Sequence, residues 1–254
     1  MLRYARSPAD VELDWVFVAL VVGSFIAAAF NAAFSIGGAM IILAITTTVL
    51  PVSAVVPMHS TLLMGSTLGR ISMFWRFIDW KIVLPFLVGS VFGTFLGARV
   101  YFELPDNAIA IAIGVVMLVA IWLPDVSWRP KLKHPWAIVG FFHSLLSTLF
   151  AYGALFHSII LHTGLQRRQI VGTMAGCFIG MTIFKISGYA LFGFDFLPYL
   201  DVIAASVIAS ILGTWVGKRS SESLPENSFR LIYRILITIT ALRLLYAALR
   251  NGLG

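Results

Sequence analysis

Residues 90–107 read SVFGTFLGARVYFELPDN, and residues 210–227 read SILGTWVGKRSSESLPEN. Aligned at an offset of 120, they share Ser90/Ser210, Gly93/Gly213, Thr94/Thr214, Gly97/Gly217, Arg99/Arg219, Leu104/Leu224, Pro105/Pro225 and Asn107/Asn227. Apolar composition alone produces chance matches of Leu, Val and Ala. It does not produce a repeated Gly-Thr-x-x-Gly-x-Arg followed by Leu-Pro-x-Asn. Upstream the offset becomes 115. Residues 65–72, GSTLGRIS, match 180–187, GMTIFKIS, with Arg70 opposite Lys185. Residues 34–39, FSIGGA, weakly match 149–154, LFAYGA. The chain reads as two copies of one unit, and such a duplication constrains the fold before any single motif does.

The medium around these units follows from charge spacing. Of 254 residues, 59% are hydrophobic and only 11% charged, against roughly 25% charged in an ordinary soluble domain. Mean hydropathy is +0.94. From Trp15 to Gly69 there is no Asp, Glu, Lys or Arg. As a helix that run is about 80 Å long, against a hydrocarbon core of about 30 Å, so it crosses more than once or re-enters. A second uncharged run extends from His134 to Gln166. Open sheets cannot span lipid and alternating barrel strands are absent, so the spans are helices.

Each unit has the same expected plan. A first span (15–33; 135–150) ends at a small-residue break, and a short apolar segment follows (38–50; 153–164). Three fuller helices come next: 55–76, 82–101 and 107–124, then 169–191, 198–217 and 228–249. Pro105 and Pro225 start the last helix of each unit, where a missing N–H costs nothing. The fold class is an all-α polytopic membrane protein. It holds two inverted repeats of four to five helical segments each, with broken or re-entrant helices. The divisions are a tail over 1–14, a first repeat over 15–124, a basic linker over 125–134 and a second repeat over 135–250.

Lys and Arg counts set the orientation. One side holds Arg76, Lys81, Arg129, Lys131, Lys133, Arg167, Arg168, Lys218 and Arg219; the other holds Arg3, Arg6, Arg99 and Arg250. The richer side is expected to be cytoplasmic. Both termini then lie on the periplasmic or extracellular side of the inner membrane. The net charge of +7 sits in short loops between apolar windows, so no nucleic-acid partner is expected. The single cysteine, Cys177, allows no internal disulfide. The N-terminus carries acids before its apolar run and no small-residue cleavage site, so the first span reads as retained.

Three groups of residues carry candidate chemistry. The first is Asn31-Ala-Ala-Phe-Ser35-Ile-Gly37-Gly38. A helix opening at Gly37–Gly38 would aim unpaired amides and a partial positive charge at the break, with Ser35 and Asn31 adding neutral hydrogen bonds. The same glycines also suit a simple kink. A partial echo at Tyr152-Gly153 favours the site, since carriers build sites from paired broken helices. The second group is Arg70 and Lys185, near the ends of their helices with no carboxylate in the same window. They either attract an anion or snorkel to the interface. The third is polar and mid-span: His59, Ser60, Thr61, His143, Ser147, Thr148 and Thr173. Of these, His59, Ser60 and Thr173 are taken as site candidates, although such groups also join helix to helix. The ladder Gly89-x3-Gly93-x3-Gly97, echoed as Ala209-x3-Gly213-x3-Gly217, is close helix packing, either between the repeats or between two copies in a homodimer.

No enzyme signature is present. His157 and His162 lack the spacing and the Glu of HExxH, and there is no Walker motif, GxSxG or cysteine ligand set. No metal or cofactor is expected. A hydrolase built on Ser35 and a histidine has no supporting motif. Membrane carboxylates of the kind that couple protons or sodium are missing, which favours an uncoupled, potential-driven anion route.

The duplicated unit, with a glycine-rich break early in each half and then Gly-Thr-x-x-Gly before Leu-Pro, resembles the TauE/SafE family of sulfite or organosulfur-anion exporters of the bacterial inner membrane. The resemblance extends from about Val16 to Leu249. Its most specific parts are Ser35-Ile-Gly37-Gly38 and the two Gly-Thr-x-x-Gly-x-Arg…Leu-Pro blocks. The second half departs from it, with only Tyr152-Gly153 where the family has longer glycine runs. The resemblance implies export of sulfite or an organosulfonate by alternating access, whereas the residues alone reach only a small anion. A channel-like anion pore or a non-transporting membrane scaffold is the alternative. The expected partners are the small anionic substrate and the lipid bilayer.

Overall fold

The computed structural model describes residues 15–34, 37–122, 135–151, 153–220 and 226–252. Among these, every regular element is helical. The helices are α1 (Trp15–Phe34), α2 (Gly38–Val49), α3 (Val52–Leu62), α4 (Met64–Phe74), α5 (Trp80–Glu103), α6 (Asp106–Trp122), α7 (Trp136–Phe150), α8 (Ala154–Ile160), α9 (Arg167–Leu191), α10 (Leu200–Ser220) and α11 (Glu226–Gly252). Four stretches are long and apolar enough to cross a membrane: Trp15–Ala33, Trp80–Glu103, Arg167–Leu191 and Leu197–Arg219. Pro225 and the basic linker fall outside the described residues.

Exposure follows the lipid expectation. Val18, Val22 and Ile26 on α1, and Leu84, Val88, Phe92 and Leu96 on α5, form exposed stripes at four-residue spacing, one face of a helix. In water these stripes would be costly, and in hydrocarbon they are neutral. Exposed Trp15, Trp75, Trp80 and Trp122 sit at helix ends, where indole rings favour the lipid headgroup level.

The span expected over 55–76 is two helices, α3 and α4, meeting at Leu63. The local chemistry explains the interruption. Ser60, Thr61, Ser66 and Thr67 turn their hydroxyls back onto the carbonyls of Val56, Met58 and Leu63, which bends helices. Pro57 cannot donate to the Ser53 carbonyl one turn earlier. The Tyr101 hydroxyl of α5 donates there instead, at 3.3 Å, and to the Val52 carbonyl at 2.9 Å.

The glycine ladder fixes the helix pairing. A Cβ on Gly89 or Gly93 would collide with the carbonyl oxygens of Ala137 or Phe141. On Gly213 or Gly217 it would collide with those of Phe25 or Ala29. So α5 lies against α7, and α10 against α1, backbone to backbone. Ser90 and Ser210 occupy matching places and each donates across its seam, Ser90 to the Gly140 carbonyl and Ser210 to that of Ser24. The ladder therefore joins the two halves of one chain. Of the two placements the sequence allowed, this is the observed one.

Contact register also gives direction. Gly176 meets Val83, Gly180 meets Leu87 and Gly188 meets Ala98, so α9 and α5 are parallel; Gly89 to Ala137 and Gly93 to Phe141 add α7 to that set. Gly65 meets Val207 and Gly69 meets Thr214, so α4 and α10 are parallel, and α1 joins them through Gly213 and Gly217. Gly172 of α9 lies at Phe74 of α4, while Lys185 reaches Ser60 of α3. The two trios therefore run in opposite directions. Helices α6 and α11 form an antiparallel pair, with Gly114 at Leu245 and Trp122 Nε1 donating to Thr238 Oγ1 at 3.0 Å.

Overpacking a tight helix seam costs about 1–3 kcal/mol. Gly93→Leu is expected to lower the melting temperature of purified protein or abolish folded yield. Gly153→Ala, where no atom lies within 4 Å of the added methyl, is expected to leave both near wild type.

Candidate anion site

Lys185 stands two turns before the end of α9 and is only 3% exposed. Its ammonium does not snorkel. Nζ donates to Ser147 Oγ at 2.7 Å, to the Ser147 carbonyl at 2.8 Å and, at a longer 3.5 Å, to Ser60 Oγ. Ser147 lies in the last turn of α7, which stops where Ala151 turns left-handed at φ 57. Its carbonyl already accepts the Ala151 amide at 3.1 Å. Helix C-termini hold roughly half a negative charge, so Lys185 is well placed there yet not neutralised. The one ion pair between described residues is Arg99 to Glu103, on an exposed helix face. A buried whole charge with only neutral partners carries a desolvation cost that a counter-ion would offset.

Two histidines flank this ammonium, and both interact with it electrostatically. His59 precedes Ser60 on α3, and its Nε2 lies 3.0 Å from the Ala39 carbonyl. A carbonyl only accepts, so Nε2 carries the proton and Nδ1 is a bare acceptor. That Nδ1 is buried and has no partner. His143 sits one turn before Ser147 on α7. Its Nδ1 accepts the Phe156 amide at 3.3 Å, so its proton is on Nε2, which is buried with nothing to donate to. The ring stacks on Phe178 at 5.6 Å and tilts against Phe86 and Phe156. The aromatic box fixes the ring, and the two backbone partners fix the same Nε2–H tautomer in both histidines, leaving an acceptor orphaned on His59 and a donor orphaned on His143.

The break between α1 and α2 completes the surroundings. Gly37 has φ 95, a left-handed conformation open to glycine. Gly38 packs so closely on α1 that a Cβ would lie 2.4 Å from the Ala27 carbonyl oxygen and 2.5 Å from Asn31 Cβ. The Met40 and Ile41 amides of α2 donate to the Gly37 carbonyl at 3.0 and 3.1 Å, and the Ala39 carbonyl in that turn is the one His59 holds.

Of the residues expected from sequence, Ser60 bonds Lys185 directly, His59 beside it holds the Ala39 carbonyl of α2, and Gly38 packs against Asn31 at the start of that helix. Gly153 stands at the foot of α8, beside open space, two residues past the left-handed Ala151. The expected second broken-helix start is shorter than the sequence suggested, because α8 stops at Ile160. Arg70 is elsewhere. It is half-buried on α4, its Nε donating to the Ser66 carbonyl at 3.3 Å, and the opposed directions of α4 and α9 put it toward the other end from Lys185. Thr173 is also apart, about 18 Å from Lys185 along α9. Its Oγ1 accepts the Asp79 amide at 2.9 Å, holding the start of α5. Ser35 and Tyr152 lie outside the described residues.

Two residues matter more than sequence reasoning allowed. Ser147 and His143 looked like generic mid-span polar groups, yet they hold and flank the charge. The duplication contained a usable signal. At the offset of 115, Ser60 and Ser147 are matched by Ala175 and Ala32. Each serine stands opposite an alanine, so the two copies differ in polarity at these places. Tyr189, whose hydroxyl donates to the Thr148 carbonyl at 2.6 Å, left no comparable trace.

A bundle of apolar helices, four of them long enough to cross a membrane, interrupted within its spans and enclosing a lysine, is the architecture of a polytopic membrane protein. The family model described as Sulfite exporter TauE/SafE matches residues 20–244, nearly the whole chain, and the chain belongs to that family. No curated protein and no solved structure matches it.

Thr173→Val is expected to cost about 1 kcal/mol through the lost bond to Asp79. It should show as a lower melting temperature with unchanged anion affinity in calorimetry.

Proposed function

We infer that this chain exports a small anion, sulfite or an organosulfonate, and that the anion binds at Lys185 between the two halves. The observation that carries this reading is the Lys185 ammonium, bound among the described residues by Ser147 and Ser60. An arriving oxyanion supplies the missing negative charge, and the orphaned donor on His143 offers it a hydrogen bond. Asn31, Gly37, Gly38 and Gly153 bound the path of the anion on the side of the broken helices. Arg70, near the opposite end, acts as an electrostatic attractor that raises the local anion concentration.

The mechanism is alternating access between inverted repeats. The matched seams at Ser90 and Ser210 support it, as do the oppositely directed trios. The end of the bundle with Arg76, Lys81, Arg167, Arg168, Lys218 and Arg219 faces the cytoplasm under the positive-inside rule. Both termini then face outward across the inner membrane, the divisions fall at 1–14, 15–124, 125–134 and 135–250, and an inside-negative potential drives the anion out. That potential supplies about 2.3 kcal/mol per charge per 100 mV.

Sulfite efflux from proteoliposomes tests the reading. Lys185→Met removes a buried uncompensated charge without leaving a void, so folded yield is retained while efflux falls by about tenfold or more, the worth of a charge-assisted contact. Wild-type efflux from Lys185→Met protein would sink the assignment. Arg70→Ala is expected to slow efflux at low sulfite and to spare the saturated rate, because it acts on capture. Saturation with substrate and a steep slowing on cooling are expected of a carrier and not of a pore.

A further inference from the structure

The site contains one positive charge, and its orphaned ring atoms are of opposite kinds. His143 offers an N–H with nothing to receive it, and His59 offers a lone pair with nothing to donate to it. Both assignments follow from backbone partners, the Phe156 amide and the Ala39 carbonyl, and both rings are buried to nine-tenths or more. A simple anion, which only accepts, satisfies His143 and Lys185 and leaves the His59 acceptor stranded. A dianion does worse, because it also leaves one negative charge unbalanced in an apolar interior. An oxyanion that carries one charge and one hydroxyl satisfies everything. Its charged oxygens face Lys185 and His143, and its O–H donates to His59 Nδ1.

We propose that the Lys185 site selects a singly charged oxyanion that still holds an acidic proton, the hydrogen form of a dibasic oxyacid such as hydrogensulfite, over the fully ionised dianion. This rests on the assignment of Lys185 as the anion site. No covalent step is involved, since the proton stays on the anion and is shared with His59. The titratable groups around Lys185 are His59 from α3, His143 from α7 with His157 of α8 behind it, and Tyr189 one turn further along α9, against which Tyr101 of α5 packs; Arg70 of α4 lies toward the other end. No described carboxylate pairs with it. Sulfite is a sharp probe because its second ionisation falls near neutrality.

The experiment is calorimetric titration of the purified full chain with sulfite, methanesulfonate and sulfate across pH 6 to pH 8.5. Methanesulfonate is a monoanion without a hydroxyl throughout, and sulfate is a dianion throughout. The quantity read is the ratio of sulfite to methanesulfonate affinity, in which titration of Lys185 and the histidines cancels. The ratio is expected to fall by about tenfold per pH unit above the second ionisation of sulfite, and sulfate is expected to bind at least about tenfold more weakly than sulfite at pH 6. His59→Gln, whose amide still donates to the Ala39 carbonyl, is expected to lower the ratio at pH 6 by about tenfold. A ratio that is flat or rises with pH, or sulfate bound as tightly as sulfite, overturns the proposal and leaves the Lys185 site standing. Unchanged binding of every anion to Lys185→Met protein removes the site itself, and the proposal with it.

Discussion

A lysine ammonium sealed inside an apolar helix bundle, with two serines and a carbonyl for company, is the constraint around which the rest of this protein is arranged. Such a charge is tolerated only where several elements converge to surround it. The last turn of α7 brings Ser147, the bend-prone α3 brings Ser60, and α9 brings the lysine. Each element is interrupted or ends near the site. Ala151 stops α7, Leu63 divides α3 from α4, and Gly37 separates α1 from α2. Interruptions free backbone groups, and freed backbone groups are what a charge or its counter-ion can use.

Close packing delivers this convergence. Bringing α5 to backbone contact with α7 requires Gly89 and Gly93, and Gly180 and Gly188 of α9 make room for the Leu87 and Ala98 side chains of α5. That approach carries Tyr101 to the Ser53 carbonyl freed by Pro57 and to its neighbour on Val52, and sets the end of α7 beside Lys185. A glycine ladder without chemistry of its own thus decides where the chemistry sits.

Much of the architecture was legible in the sequence because the bilayer allows few solutions. Long uncharged runs meant membrane helices, and the helix limits of α5, α9 and α10 lie within a few residues of those expected. The division of α3 from α4 was not legible, because Ser and Thr bend a helix only when their hydroxyls turn inward, and side-chain direction is not written in spacing. The site was half legible. Glycine breaks and a lone lysine stand out against apolar surroundings, so Gly37, Gly38 and Lys185 could be named. Thr173 looked equally plausible and proved to hold the start of α5 instead. A hydroxyl reads the same in a site and in a cap until its partner is seen. Ser147 was underweighted for the converse reason, and the alanines opposite it and Ser60 in the other copy were the missed clue.

The crossed seams have a mechanical consequence. Helix α5 is locked to α7 and α9, while α10 is locked to α1 and α4. The rigid bodies of the molecule are consequently not the front and back of the polypeptide. Each is a hybrid, two members from one copy gripping a borrowed member of the other, and the loops after α4 and α9 are the straps between them. Any rocking that opens one face must slide one hybrid past the other, so severing the chain at its midpoint would leave both hybrids whole.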